Sequence, residues 1–165
     1  YYFLADLKLA DIPAIAKSIL DLLEGLGFDG AVVHLFQGGV EEYRRGGIDL
    51  VGLVAMSHRG SEILSSHFSD LLDYSLRLGL PAVVVGATRL ELLKEASERL
   101  KGRALILSPG IGAQGIEAGR ALEAGADFEI VGRYITLDPD PVSAARSVVE
   151  AHRRWLRGEG GRGLD

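Results

Sequence analysis

The sequence predicts an α/β protein whose parallel β-sheet is covered by helices on both faces. Short, continuously apolar runs recur along the chain, and amphipathic helical patterns separate them. Strands that are buried on both faces have such unbroken apolar runs, which are typical of parallel sheets. The length of 165 residues and the 47% hydrophobic content suit a single globular domain.

The predicted elements alternate between strands and helices along the whole chain. The predicted strands, all short and apolar, are Tyr2–Lys8, Gly30–Phe36, Asp49–Met56, Ala82–Gly86, Ala104–Ser108 and Glu129–Val131. The predicted helices, all amphipathic, are Ile12–Leu26, Ser65–Leu78, Leu90–Leu100, Ile116–Ala124 and Pro141–Arg157.

Boundary signals and composition divide the chain further. Thr88 is a predicted N-cap of the helix at Leu90, and Gly79 and Gly102 lie where helices are expected to end. The link Gln37–Gly47 has room for only one or two helical turns. We therefore expect one domain over residues 1–157, followed by a glycine-rich, charged and frayed tail over 158–165.

Charge and composition exclude several classes of function. The net charge is −5 and no basic block is present, so nothing indicates binding to nucleic acid or to an anionic membrane. The chain contains no cysteine, which excludes disulfides and thiolate metal sites. No apolar run approaches the ~20 residues of a membrane span, and the start lacks the charged region of a signal peptide. A cytoplasmic protein is expected.

Three charged residues are concentrated where the first apolar strand ends. Asp6 and Lys8 are two residues apart, so a regular strand places them on one face, roughly 7 Å apart. Asp11 follows just after the strand, before a helix that opens with Pro13. Burying charge is costly unless the charges are paired. The cluster therefore indicates either a catalytic group or a structural ion pair at a strand end.

A second group of candidate residues lies near the end of the chain. Ser108–Gly115 (sequence SPGIGAQG) follows one predicted strand, and Gly132 and Arg133 end the last. Glycines let backbone N–H groups approach an anion, and arginine suits bidentate phosphate recognition. Loops after the last two strands of a (β/α) barrel commonly form a phosphate site. The alternative is a set of ordinary turn glycines and a surface arginine.

The same glycines match a second motif. Gly110, Gly112 and Gly115 have the spacing of the dinucleotide-binding fingerprint, and Glu129 follows at about the distance of the ribose-binding acid. Glu129, however, falls near the start or middle of its predicted strand, whereas a ribose ligand belongs at the carboxyl end. This interpretation also leaves Asp6, Lys8 and Asp11 without a role, so the phosphate site is the favoured one.

The motifs occur together in the order of a known family. They are Asp6-x-Lys8-x-x-Asp11-Ile12-Pro13, Met56-Ser57-His58, Ser108–Gly115 and Val131-Gly132-Arg133. In this combination the chain resembles orotidine 5′-monophosphate decarboxylases of the archaeal type. The resemblance implies a TIM-type (β/α) barrel, seen here as about six βα units that correspond to strands 3 to 8. The family's first two βα units, with an aspartate and a lysine of the site, have no counterpart in this sequence.

The resemblance also implies a role for each of the three charged residues. Lys8 is expected to protonate C6 of the pyrimidine after carbon dioxide leaves, and Asp6 to lie near the departing carboxylate. Flanking carboxylates favour the charged form of a lysine. Asp11 is expected to reach the active site of a neighbouring subunit, which implies a homodimer.

Substrate recognition, by the same resemblance, involves a nucleotide and no metal or organic cofactor. The implied substrate-binding residues are Ile12, Ser57, Pro109, Gln114, Gly132 and Arg133. The implied phosphate loop adds Gly110, Gly112, Ala113 and Gly115. No nucleic-acid polymer or membrane partner is implied.

Two alternatives to this function remain open at the level of sequence. Sugar-phosphate decarboxylases and aldolases share Asp-x-Lys-x-x-Asp, and a shortened relative could bind nucleotide phosphate without catalysis. The histidines add no metal site, because His34 and His58 lack the spacing of metal ligands. His67 and His152 are predicted to be solvated on helix surfaces, and Tyr134 and the pair Arg153-Arg154 to cover surface.

Overall fold

A computed structural model describes residues 1–44 and 47–158, which form one parallel sheet flanked by helices. The strands, in chain order, are β1 Leu4–Leu9, β2 Gly30–His34, β3 Asp49–Ala55, β4 Ala82–Val85, β5 Leu105–Pro109 and β6 Phe128–Ile130. Each strand pairs in parallel with the next, in the order β1-β2-β3-β4-β5-β6. All six predicted strands are therefore confirmed, with ends that differ by at most two residues.

The helices occupy the connections between the strands. They are α1 Pro13–Gly25, α2 Val40–Tyr43, α3 Glu62–Ser66, α4 Phe68–Leu78, α5 Leu90–Leu100, α6 Arg120–Glu123, α7 Arg133–Thr136 and α8 Pro141–Leu156. The long predicted helices correspond to α1, α4, α5 and α8, and α2 is the single turn expected in the link after β2. Residues 45 and 46 of that link, and the predicted tail from residue 159 onward, lie outside the described residues.

Successive side chains of each strand point to opposite faces of the sheet, and both faces carry buried apolar side chains. Val33 and Val83 belong to the larger core, which they share with the fully buried helical residues Leu72 and Leu93. The opposite face carries a smaller apolar cluster of Val32, Val51, Leu53, Ala82 and Val84. The six strands curl around this second cluster as a half-barrel. The carboxyl ends of all the strands consequently meet at one edge.

One predicted helix is much shorter than expected. The amphipathic pattern predicted Ile116–Ala124, whereas α6 covers only its second half. The first half is a loop in which the N–H of Gly112 donates to the carbonyl of Ile116 at 2.7 Å. Gly119 then has a φ of +98°, which an α-helix does not contain. The helix was predicted too long because the apolar periodicity continues into a segment whose backbone hydrogen bonds are those of a turn.

A predicted cap was also wrong. Thr88 does not cap α5, because its hydroxyl donates to the carbonyl of Ser57 at 2.6 Å and the N-cap position is Arg89. Gly79 has the left-handed conformation expected of a helix end, whereas at the end of α5 Lys101 takes the C-cap position and Gly102 follows it. Local sequence cannot distinguish a cap from a threonine that ties two neighbouring loops together.

The two outer strands each have one pairing partner among the residues that the structure describes. β1 pairs with β2, β6 pairs with β5, and no ladder joins β6 to β1. Apolar side chains remain exposed beside these outer strands, including Phe3 and Leu7 near β1 and Phe128 in β6. The described sheet is therefore open.

Candidate functional site

The loops that follow the carboxyl ends of the strands carry most of the predicted site residues. Because the strands are parallel and adjacent, these loops are neighbours in the same order as the strands. The first polar residues at this edge, taken strand by strand, are Lys8, His34, Ser57, Thr88, Gln114 and Arg133. The edge therefore combines the charged cluster of β1 with the phosphate-site candidates of β5 and β6.

Lys8 and Asp6 form a direct ion pair at the end of β1. The ammonium Nζ of Lys8 lies 2.8 Å from both carboxylate oxygens of Asp6. About a third of the Lys8 side chain is exposed to solvent, so this charge is available at the edge of the sheet. The pairing predicted from the sequence is therefore present.

The backbone of β1 is irregular at this ion pair, whereas the sequence predicted a regular strand. Lys8 has a φ of +50°, and the pairing of β1 with β2 shifts register between Ala5 and Leu9. A left-handed conformation costs a non-glycine residue about 1–2 kcal/mol. An irregularity of this kind re-aims a side chain, and here it accompanies the direct contact of Lys8 with Asp6.

His34 lies next to the Lys8 charge at the end of β2. Burial, and then the positive charge of Lys8, lower the pKa of His34 below its ordinary value. Nδ1 of His34 is buried and has no hydrogen-bond partner among the described residues. At neutral pH the imidazole is therefore mainly uncharged, and it adds no second cation to the cluster.

Asp11 and Ile12 face outward after β1. The carboxylate of Asp11 accepts a hydrogen bond from the backbone N–H of Ile12 at 2.8 Å, and no described ion pair links Asp11 to Lys8. Ile12 is the N-cap residue of α1 and is 64% exposed. Within this chain Lys8 is thus paired with Asp6 and not held between the two aspartates.

Ser57 is fixed against the ends of β4 and β5. Its carbonyl accepts the Thr88 hydroxyl, and its backbone packs directly on Gly86. A Cβ at Gly110 would lie 3.2 Å from the Cβ of Ser57, so the start of the glycine loop is also in close contact. The structure therefore brings together Ser57 and Gly110, which are far apart in the sequence.

A cavity of about 640 Å³ lies beside Ser57. Its lining residues are polar or charged: Ser57, His58, Arg59, Glu62, Thr88, Arg89, Gln114 and Arg133. Three guanidinium groups face one carboxylate here, which leaves an excess of positive charge suited to a phosphate dianion. Of the predicted substrate-binding residues, Ser57, Gln114 and Arg133 share this cavity.

Two groups in the cavity lack hydrogen-bond partners within the described residues. Oε1 of Gln114 and Nε of Arg89 are both buried and unpaired, although an Nη of Arg89 lies 3.3 Å from the Ser61 hydroxyl. Unpaired buried polar groups are costly, and in a cavity they are typical of a ligand site. Backbone N–H groups, together with the charges of Arg89 and His58, also lower the pKa of Glu62, so this carboxylate stays ionised.

Arg89 was not identified from the sequence. It comes three residues after Gly86, where β4 meets its loop, so its position after a parallel strand was the available signal. Arg59, which directly follows Ser57-His58 in the loop after β3, was also not identified, and the same signal was available for it.

Three glycines of the glycine loop, Gly110, Gly112 and Gly115, have positive φ angles. Gly112 has a φ of +68°, and a Cβ there would lie 2.6 Å from the ring of Tyr134. Tyr134 therefore packs on the loop and does not merely cover surface. Ala113 and Gly115 form the turn, in which the N–H of Gly115 donates to the carbonyl of Gly112. Pro109 ends β5, and its carbonyl accepts from Ala87 at 2.8 Å.

The dinucleotide interpretation lacks its structural context. No helix begins at Gly115, because α6 starts at Arg120. The Glu129 side chain is fully buried and accepts the backbone N–H groups of Gly119 and Ala121, so it is not free to bind a ribose. It also contacts Nε2 of His152 at 2.7 Å. The prediction of a solvated His152 was therefore wrong, since α8 turns this residue toward β6.

Neither a metal cluster nor a membrane span occurs in residues 1–44 and 47–158. No group of three histidine or acidic side chains there could hold a metal ion. None of the described helices is long and apolar enough to cross a membrane.

Comparisons with known proteins place this chain and its fold in one family. Residues 2–148 match the sequence model of the Orotidine 5'-phosphate decarboxylase / HUMPS family. The orotidine 5'-phosphate decarboxylase of Aeropyrum pernix is 44% identical over 154 residues, which cover 88% of this chain and 62% of that protein. That of Pyrococcus abyssi is 40% identical over 159 residues, which cover 94% of this chain and 74% of that protein.

A solved structure gives the same result for the fold. The crystal structure of orotidine 5'-monophosphate decarboxylase from Metallosphaera sedula superimposes with a TM-score of 0.84 at 31% identity, covering 93% of this chain and 74% of that chain. The similarity confirms the predicted TIM-type class for the half-barrel. The chain thus spans about 62% to 74% of the length of these relatives.

Proposed function

Because the chain belongs to the orotidine 5'-phosphate decarboxylase / HUMPS family, we propose that it converts orotidine 5′-monophosphate to uridine 5′-monophosphate. The observation that carries the proposal is the position of the Lys8–Asp6 ion pair. It lies at the same edge of the sheet as the positively charged cavity of Ser57, Gln114 and Arg133. A reactive cation and an anion site are thus both available to a nucleotide monophosphate.

Lys8 supplies the proton in the proposed reaction. The bond between C6 and the carboxylate breaks, and the electron pair remains on C6 as carbon dioxide leaves. The ammonium of Lys8 stabilises the negative charge as it develops and then transfers a proton to C6. Asp6, 2.8 Å from the ammonium, orients Lys8 before the reaction.

The phosphate of the substrate is assigned to the cavity beside Ser57. Arg133 supplies a planar pair of N–H donors, and the amide of Gln114 and the backbone at Gly132 complete the contacts. Pro109 and Ser57 line the pyrimidine side, and Ile12, exposed at the N-cap of α1, is the remaining proposed substrate contact. The glycine loop from Gly110 to Gly115 closes around the phosphate. Binding energy at a group remote from C6 supports the chemical step.

The proposal is tested by following the ultraviolet absorbance of orotidine 5′-monophosphate with the purified chain and two variants. Lys8→Ala is expected to abolish turnover. Lys17→Ala is the matched control, because Lys17 pairs with Asp21 on the exposed face of α1, and it is expected to retain activity. Equal activity in both variants contradicts the role of Lys8.

Binding separates the proposal from its two alternatives. A chain that binds uridine 5′-monophosphate but does not turn over orotidine 5′-monophosphate is a nucleotide-binding relative without catalysis. Turnover of a sugar phosphate in preference to the nucleotide indicates a sugar-phosphate decarboxylase of the same suprafamily. Absence of nucleotide binding contradicts the proposed function altogether.

The working unit is proposed to be a cytoplasmic homodimer in which Asp11 contributes to the neighbouring site. Two features support the dimer: Asp11 has no cation partner among the described ion pairs, and Ile12 and Ile15 beside it are 64% and 46% exposed. Mixing Lys8→Ala with Asp11→Ala subunits tests this directly. Random hybrids restore one intact site per mixed dimer and about a quarter of wild-type activity, whereas sites built within one subunit give no recovery.

A further inference from the structure

Glu129 is a buried, multiply hydrogen-bonded side chain in β6, the strand that leads to Arg133. Its carboxylate has no solvent exposure. Oε1 accepts the N–H of Gly119 at 3.0 Å and that of Ala121 at 2.9 Å. Oε2 accepts the N–H of Gly119 at 2.9 Å and Nε2 of His152 at 2.7 Å. Burying a carboxylate is costly unless such bonds replace its water, so these contacts are required by its position.

These bonds join three parts of the chain at one point. Glu129 lies in β6, three residues before Gly132, and therefore sets the path of the strand that leads to Arg133. Gly119 ends the loop that carries Gly112 and Gln114. His152 is on α8, the last described helix. One carboxylate thus connects the strand before Arg133, the N-terminus of α6 that ends the segment after the glycine loop, and α8.

Apolar packing of Ile111, Ile116 and Ala118 holds one side of the loop to the core, but the side that faces α8 is less well supported. A cavity of about 510 Å³ lies between the loop and α8, lined by Gly112, Gly115, Glu117, Tyr134 and Ser147, among others. The loop's second support is Tyr134, whose ring lies against Gly112 and whose hydroxyl is 3.4 Å from the Ser147 hydroxyl of α8. Both supports lead to α8, and neither contacts the cavity beside Ser57.

We propose that Glu129 and His152 are positioning residues that hold the glycine loop and Arg133 in register for the substrate phosphate. The inference rests on the proposed nucleotide function. Loss of the carboxylate releases the N–H of Gly119 and frees the loop to move over the cavity beneath it. Misplacing a binding group by about 1 Å can reduce function by about 10²-fold, so the affinity for phosphate is expected to fall and that for the base is not.

The test compares the affinity for uridine 5′-monophosphate with that for uridine, measured by calorimetry. Glu129→Gln replaces an acceptor oxygen by an NH₂ group that faces backbone donors, and His152→Ala removes the partly exposed end of the connection. Each variant is expected to bind uridine 5′-monophosphate about 10-fold or more weakly, with uridine affinity unchanged. Because Glu129 is buried, His152→Ala provides the result if Glu129→Gln does not fold.

Two control variants remove a carboxylate and a histidine that lie outside this connection. Glu123→Gln removes a carboxylate of α6 that pairs with Arg120 near the surface, and His67→Ala removes an exposed histidine that pairs with Asp70. Both controls are expected to bind like wild type. The inference is overturned if His152→Ala and a folded Glu129→Gln both weaken the binding of uridine 5′-monophosphate and uridine equally, or weaken neither. In that case Glu129 and His152 are merely structural.

Hydrogen exchange distinguishes this failure from failure of the proposed function. If the wild-type chain does not bind uridine 5′-monophosphate, the function is wrong, and the positioning claim is then decided by the loop itself. Amide exchange over residues 111–119 is expected to accelerate at least 10-fold in His152→Ala, with exchange in β2 and β3 unchanged. Unchanged exchange in the loop overturns the claim.

Discussion

Replacing Gly86 by alanine tests how closely the loop after β3 approaches the end of β4. A Cβ at Gly86 would lie 2.5 Å from the backbone nitrogen of Ser57, 2.6 Å from its Cα and 2.8 Å from the carbonyl carbon of Met56. Ordinary contacts begin at 3.4 Å, so the two backbones must separate by about 0.9 Å. They cannot do so freely, because the N–H of Gly86 donates to the carbonyl of Ala55 at 2.9 Å.

The magnitude follows from which atoms clash. The added methyl meets backbone and not the flexible end of a side chain, so the cost is that of overpacking a core, about 1–3 kcal/mol of unfolding free energy. The forced displacement falls on Ser57, which lines the cavity assigned to the nucleotide. A shift of about 1 Å in a binding group can cost about 10²-fold, so we expect the affinity for uridine 5′-monophosphate to drop by 10- to 100-fold.

Denaturant unfolding and calorimetry measure the two effects of Gly86→Ala separately. Gly25→Ala is the matched control, since no atom lies within 4 Å of its added Cβ and Gly25 is helical. There alanine is expected to stabilise the chain by about 0.5–1 kcal/mol. A Gly86→Ala variant with wild-type stability and affinity would refute the close approach on which the reasoning depends.

Three further predictions concern the core, the surface and the cavity. Leu72→Ala deletes a fully buried side chain of α4 and is expected to lower the unfolding free energy by about 2–5 kcal/mol in urea titrations; a change below 1 kcal/mol would contradict its burial. Burial, and then its hydrogen bond to Glu41, raise the pKa of Tyr74 to about 12. Because the folded state holds this proton more tightly, the stability contribution is complete below pH 10 and is lost as the pH rises through about 12. The unfolding free energy measured between pH 10 and about 12 should therefore fall less steeply with pH in Tyr74→Phe than in wild type. Arg89→Ala is expected to weaken binding of uridine 5′-monophosphate by about 10- to 100-fold, the value of a charged hydrogen bond, whereas Arg103→Ala, whose guanidinium bonds to helix carbonyls, should not change it in the same calorimetric titration.

The strands were predictable because burial on both faces leaves a local signal. Val83, Val84 and Val85 are consecutive and buried, although they belong to two different apolar clusters. No half-exposed strand produces such a run. The helices α1, α4, α5 and α8 were predictable for the complementary reason, since each covers one face of the sheet and repeats its apolar residues with helical spacing.

The segment from Ile116 to Gly119 shows where that signal fails. Ile116 is apolar at helical spacing, yet its carbonyl accepts the N–H of Gly112 across a turn. Periodicity reports only which residues face apolar surroundings, and a loop packed against the sheet satisfies the same requirement. Thr88 failed similarly, because its partner is the carbonyl of Ser57, 31 residues away in sequence.

The sequence by itself determined which charged and glycine-rich segments follow which strands. It therefore also determined that Lys8, Ser57, Gln114 and Arg133 lie at one edge of the sheet. That follows from the parallel arrangement alone, since it brings every carboxyl end to the same side. The tertiary structure decided the pairings. It joined Lys8 to Asp6 through a left-handed residue, placed Arg89 in the cavity, and buried Glu129 against His152. Hydrogen bonds and ion pairs depend on distances of a few tenths of an ångström between segments far apart in the chain, and no local pattern encodes these distances.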